Sequence, residues 1–154
     1  MNKYMIDTSV FNHLVKRDVD IKSLIHGEFY FTYLQLDELN RTPDLELKNR
    51  LLTFFKVLNP KEVPLETFVI GIAKLNSAKL GDGKLQNKIL QSMNKTKKHR
   101  NNQIDALIAE TAFVNKMTLI TDDNNLYVAC LKNNIKAIKL SDALINEYNI
   151  NAIK

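Results

Sequence analysis

Four acidic side chains, Asp7, Glu38, Asp105 and Asp123, have the type and the placement to work together on a bound cation. Asp7 closes the apolar run Tyr4-Met5-Ile6 and is followed by two hydroxyls, Thr8 and Ser9. Asp123 closes a second run of the same build, Thr118-Leu119-Ile120-Thr121-Asp122-Asp123. Neighbouring parallel strands of an open α/β sheet end on one side, and such sheets bind ligands outside those carboxyl ends. Two strand-end acids far apart in the chain are therefore expected side by side. Carboxylates brought that close raise one another's pKa unless a cation neutralises them. Hard oxygen ligands suit Mg²⁺ or Mn²⁺ and not zinc. The chemistry open to such a site is metal-assisted hydrolysis, in which the ion lowers the pKa of a bound water and offsets charge on a phosphodiester.

Each acid also has a plainer role. Asp7 stands where a helix N-cap would stand, and Asp105 suits the first turn of a helix, where a carboxylate complements the helix dipole. Glu38 has Asp37 beside it, and spacing alone does not choose between the two. Asp122-Asp123-Asn124-Asn125 reads equally as a polar turn. Other chemistries lack their residues. Cys130 is the chain's single cysteine and sits on an apolar helical stripe, as a small core residue does. His13, His26 and His99 are scattered, no Ser/His/Asp elbow or glycine-rich phosphate loop is present, and Gly81-Asp82-Gly83 reads as a turn.

The elements that must position these acids alternate. Strands are expected at Lys3–Ile6, Phe29–Thr32, around Val57–Val63, Thr118–Thr121 and Ala137–Leu140. After Thr42-Pro43, with proline at the first helical position, Leu47, Leu51, Leu52, Phe55 and Leu58 recur at helical spacing. A second helix is expected from about Leu65, burying Phe68, Val69, Ile72, Ala73 and Leu75 and stopping at Gly81. A third runs from about Gln103 to Asn115, with Ile104, Leu107, Ile108, Ala112 and Val114 inward. Shorter helices are expected over Ser9–Lys16, Leu36–Arg41, Asn125–Asn133 and Ser141–Tyr148. Strands alternating with helices predict a parallel sheet covered on both faces.

At 154 residues the chain is expected to form a single domain, residues 1–154. Charge is concentrated: Lys84, Lys88, Lys95, Lys97, Lys98 and Arg100 fall in one stretch without an acid. Without those six of the 22 basic residues, 16 face 17 acids, so this stretch supplies the whole excess behind the net charge of +5. It directly precedes Asp105 and is either a solvated loop or a phosphate-contacting patch. No apolar run approaches the ~18 residues of a membrane span, and no secretory h-region opens the chain; a cytoplasmic location is the expectation.

These residues resemble a PIN domain, the nuclease fold that includes the VapC-type toxins of toxin–antitoxin pairs. Met5-Ile6-Asp7-Thr8-Ser9 resembles the opening strand with its acid and hydroxyl, and Thr32-Tyr33-Leu34-Gln35-Leu36-Asp37-Glu38-Leu39 the second strand and following helix, whose acid is the Glu before Leu. Ile104-Asp105-Ala106-Leu107-Ile108-Ala109 is similar to the family's Asp-Ala-x-Ile-Ala helix, the specific part of the match. Leu119-Ile120-Thr121-Asp122-Asp123 resembles its Thr-x-Asp strand end, which selects Asp123 over Asp122. Where the family often continues Asp-Phe, this chain has Asn125-Leu126, and its 77–102 segment is longer and more basic than in the compact toxins.

The resemblance implies a Rossmann-like three-layer α/β/α sandwich with a parallel sheet of order 3-2-1-4-5. It further implies a Mg²⁺- or Mn²⁺-dependent endoribonuclease, the toxin of a type II pair. Asp7, Glu38, Asp105 and Asp123 would hold the metal, Ser9 and Thr121 would support it, and Lys95, Lys97, Lys98 and Arg100 would contact RNA. RNA is the expected substrate, with an antitoxin protein and a second copy of the chain as candidate partners. A PIN-fold nuclease outside toxin systems and a non-catalytic nucleic-acid- or protein-binding module are the alternatives. Aspartyl phosphatases want an acid where Ser9 stands, and receiver domains want an acidic pair where Asp7 is alone.

Overall fold

Successive side chains of a strand face opposite sides of its sheet, and in Lys3–Ile6 (β1) this alternation divides the core. Met5 enters one apolar cluster while Tyr4 and Ile6 enter another. In the computed structural model, which describes residues 1–70, 72, 78–93 and 99–145, β1 is the central strand of a five-stranded sheet. The others are Glu28–Phe31 (β2), Lys61–Glu62 (β3), Thr118–Ile120 (β4) and Ala137–Ile138 (β5). Every pairing is parallel and the order is β3-β2-β1-β4-β5. The expected three-layer α/β/α sandwich is the observed fold.

Thr8–Lys16 (α1), Leu45–Leu58 (α3) and Leu140–Ala143 (α7) cover one face, joined by Leu39 of Tyr33–Asn40 (α2). Lys84–Ser92 (α4), His99–Val114 (α5) and Asn124–Lys132 (α6) cover the other. Residues 106–112 of α5 are all buried, including Glu110 and Thr111. A helix enclosed this completely shows little amphipathic contrast. Among the described residues no helix is long and apolar enough to cross a membrane.

Several expected elements differ. Among the described residues from Leu65 to Gly81 none is helical. Leu65 pairs instead in an isolated parallel bridge with Ala78, with Lys79 N–H donating to Leu65 O at 2.6 Å. Long-range pairing overrides the apolar periodicity there; Ala73 and Leu75 lie outside the described residues. A Cβ on Gly81 would stand 2.5 Å from Glu66 O, so this glycine permits a close backbone crossing and does not stop a helix. The basic stretch is not simply a loop: α4 begins after Gly83, whose φ of +72° suits glycine. α3 starts at Leu45 rather than at Pro43, because Asp44 caps it by accepting from Leu47 N–H. Val114 faces outward, 49% exposed. α7 starts at Leu140 and ends at Ala143, because Leu144 is extended and bridges antiparallel to Leu24; Tyr148 lies outside the described residues.

Gln35 fixes how α2 meets the sheet. Its side chain is fully buried, and Oε1 accepts from Thr32 N–H and Thr32 Oγ1, each at 2.6 Å. Nε2 donates to Ile6 O at 3.1 Å, joining the first turn of α2 to the last residue of β1. The Thr-x-x-Gln spacing is a capping box. Replacing Gln35 by Ala strands a buried N–H and a buried carbonyl, a predicted loss of roughly 2–4 kcal/mol. In thermal melts that lowers Tm by about 2–4 °C per kcal/mol; an unchanged Tm would show that water replaces these bonds.

Glu110 pins the chain after β3 to α5. Thr67 Oγ1 donates to Glu110 Oε1 at 2.9 Å, while Oε2 is buried without a hydrogen-bond partner. Burial pushes the Glu110 carboxyl above its ordinary value, and the charges of Glu66 and Asp82 add to this. A carboxyl with a raised folded-state pKa loses stability as pH rises from its unfolded value, 4.5, through the folded one. Glu110→Gln is therefore expected to raise Tm at neutral pH and to match wild type below about pH 4. Parallel melting curves at all pH values would sink this prediction.

Candidate active site

Asp7 follows directly on β1, and its N–H donates to Ile120 O at 2.9 Å, so the ends of β1 and β4 are stitched together. Its side chain does not cap α1. Instead Oδ2 accepts from Ser9 Oγ and from Thr121 Oγ1, each at 2.9 Å. Thr121 Oγ1 in turn accepts from Asp123 N–H at 3.1 Å, which orients its hydroxyl proton toward Asp7. Asp7 is only 5% exposed. Burial raises its pKa, the two hydroxyls pull it back, and the charge of Asp123 raises it further. The net direction is upward.

A cavity of about 380 Å³ opens outside these strand ends. Asp7, Glu38, Asp105 and Asp123 all line it, so the fold brings together the four acids singled out by their sequence positions. Asp37 lines it as well, half-buried beside the exposed Glu38, and α2 thus presents both acids of the pair to the same space. Leu34, Ile72 and Ile104 form apolar wall, and Asn12, Arg41, Arg100 and Asn101 add polar groups. Cys130, fully buried, reports the electrostatics from below. Burial lifts its thiol pKa to about 12, and the charges of Asp7 and Asp105 contribute. Such a thiol is inert, in keeping with a core role.

The adjacent acids Asp122 and Asp123 part company, as neighbours leaving a strand do. Asp122 turns away from the cavity. Its Oδ2 meets His13 Nδ1 at 2.7 Å and its Oδ1 accepts from Leu140 N–H at 3.0 Å. Partial burial raises its pKa, but these bonds outweigh that and hold it below the usual carboxylate range. Asp123 lines the cavity and also caps α6, accepting from Leu126 N–H at 3.0 Å.

The donor set can be weighed against a cation. Among the described residues, no group of three or more His, Cys, Asp or Glu side chains is drawn together as a finished metal site. The chemistry of the set nevertheless fits an oxygen-seeking ion: five carboxylates line one cavity, and one of them is buried at a cost that a cation would relieve. Thr8 also lines the cavity, and its Oγ1 is buried without a hydrogen-bond partner.

Lys95, Lys97 and Lys98 lie outside the described residues, while Arg100 stands exposed at the cavity in the first turn of α5. Asn12, Arg41 and Asn101 join the cavity without having been singled out by the sequence. Two of them had a signal: Arg41 follows Asp37 by four residues, and Asn101 precedes Asp105 by four, which places each pair on one helix face. No known family model matches the chain, and no curated protein matches its sequence.

Because ionised Asp7 is poorly solvated, Asp7→Asn is predicted to raise the Tm of the metal-free protein at neutral pH, by about 2–4 °C per kcal/mol of relieved penalty. Asn can still accept from Ser9 and Thr121 through its amide oxygen. A lower Tm would mean that the carboxylate's hydrogen bonds outweigh its desolvation.

Proposed function

We propose that the protein is a metal-dependent ribonuclease of PIN type, acting on RNA phosphodiester bonds at the cavity outside β1 and β4. The observation that carries this reading is the convergence of Asp7, Glu38, Asp105 and Asp123, from four separate stretches of chain, on one cavity. These four would hold Mg²⁺ or Mn²⁺, and the bound ion would supply an activated water and offset charge on the phosphodiester. The chain's own residues prepare that chemistry. Ser9 and Thr121 occupy Oδ2 of Asp7 and so aim the carboxylate. Asp123 fixes Thr121 through its N–H. The apolar side chains of Leu34, Ile72 and Ile104 line part of the cavity and would strengthen electrostatic interactions beside them. Arg100 offers a guanidinium to a phosphate at the rim, with Lys95, Lys97 and Lys98 as further contacts on the neighbouring stretch.

The biological setting implied by the resemblance is the toxin half of a type II toxin–antitoxin pair, in cytoplasm. An inducible copy would then arrest growth of a bacterial host, and a co-expressed product of the neighbouring reading frame would relieve the arrest. A second reading, a non-catalytic nucleic-acid-binding module, is favoured by Asp123's capping bond and by the lack of three acids at coordinating positions among the described residues.

Incubating purified protein with labelled RNA and Mg²⁺ or Mn²⁺ separates the readings. Asp7→Asn and Asp105→Asn should each lower cleavage at least ~100-fold, the size of effect seen when a group stabilising transition-state charge is removed. Asp123→Ala should weaken Mg²⁺ dependence far more than Asp122→Ala, whose main effect should be lower stability through the lost His13 and Leu140 bonds. Cleavage that survives Asp7→Asn, or ignores chelator, would favour the binding module.

A further inference from the structure

Among the described residues, five acids and two cations line the cavity: Asp7, Asp37, Glu38, Asp105 and Asp123 against Arg41 and Arg100. A nucleic-acid backbone brought to such a wall meets a repelling field, so the cations at its rim decide where phosphates can rest. The two arginines come from different layers. Arg41 ends α2, whose Leu39 packs with α1 and α3, while Arg100 lies in the first turn of α5 across the sheet. Asp7 and Asp123 sit at the ends of the strands between those layers.

Resting on the ribonuclease proposal, we infer that Arg41 is a substrate-phosphate anchor, holding the RNA backbone on the opposite side of the scissile bond from Arg100.

Arg41 is free to take that role at small cost. Its side chain is 70% exposed, and its guanidinium stands 4.0 Å from Asp37 Oδ2, one helical turn back. Exposed pairs of that kind contribute little. A phosphate offers the same guanidinium two parallel charge-assisted hydrogen bonds, a better partner than a carboxylate at 4.0 Å. Asp37 thus acts as a parking position that holds Arg41 beside the cavity until substrate arrives. The contribution of Arg41 to the fold is its backbone, whose N–H closes α2 on Asp37 O and Glu38 O and which any residue but proline could supply. Lysine would preserve the charge but not the fork.

The test uses the full chain in two arms. With Asp7→Asn as background, a fluorescent RNA oligonucleotide is titrated at several salt concentrations. Adding Arg41→Gln should weaken binding about tenfold, in line with loss of a charged hydrogen-bonded contact. It should also flatten the log–log salt slope by about 0.7, one phosphate on a single strand. Arg41→Lys should restore the slope but only part of the affinity. With active protein, Arg41→Gln should raise KM by about the same factor, with a much smaller fall in kcat. Oligonucleotides carrying one uncharged methylphosphonate linkage then locate the contact. Arg41→Gln should become silent when that linkage lies on one side of the scissile bond, and Arg100→Gln when it lies on the other.

An unchanged affinity and slope for Arg41→Gln overturns the anchor, as does coupling of both arginines to the same linkage. A protein whose RNA binding depends on Arg41, yet which cuts nothing with Mg²⁺ or Mn²⁺, overturns the ribonuclease proposal alone. Failure to bind RNA overturns both.

Discussion

A carboxylate shut away from water at the end of the central strand sets the terms for everything around it. Asp7 is held at the seam where β1 and β4 pair, with little solvent to stabilise its charge. Two hydroxyls compensate in part, one from the following helix and one from the neighbouring strand. Those bonds require Thr121, directly after β4, to stand in register with Asp7, directly after β1, and that register brings Asp123 within electrostatic reach. The parallel pairing of two short strands thereby determines which acids can act together. The same arrangement leaves residual strain of charge at the cavity floor, and a cation or a proton is what would relax it.

The sheet order was legible because the signals were redundant. Apolar runs ended at turn residues, helical stripes lay between them, and the strand-end acids marked the rim. β1 matches its expected bounds, β2 shifts by one residue, and β4 and β5 end where backbone pairing stops before the apolar run does; the strand expected around Val57–Val63 is only Lys61–Glu62, because Val57 and Leu58 close α3. After Leu65, apolar spacing cannot distinguish a helix from a chain laid across a buried helix, where the Leu65–Ala78 bridge and Thr67 on Glu110 hold it. Leu65, with no exposed surface, and Ile72, at 9%, are buried in either arrangement. At the site, residue type and strand ends identified the acids, but only three-dimensional packing could show that Asp37 shares the cavity with Glu38. Gln35 had its spacing in plain view; its second role, donating to Ile6 O, depends on a contact 29 residues away in sequence.

Asp122 and Asp123 show how one peptide unit can serve two ends. The first binds elements of the scaffold, joining α1 through His13 to the start of α7 through Leu140. The second faces the cavity while holding the next helix at its first turn. A single-residue insertion or deletion at the end of β4 would exchange these assignments, since side-chain direction alternates along a strand. The turn is consequently constrained in length more tightly than in composition.

Beneath the acids lies the chain's solitary thiol, and it gives the molecule a built-in clock. Cys130 has no exposed surface and packs with Met5 of β1, Ala109 of α5 and Leu119 of β4. An alkylating reagent needs both contact and a thiolate, and the folded core denies both. Modification can then proceed only at the frequency with which the sheet and its covering helices part, an opening that proteins sample at free energies up to that of global unfolding. The rate of thiol labelling therefore counts core openings directly under the carboxylates, with no engineered probe, and anything that ties the two helical layers together above the sheet will slow it.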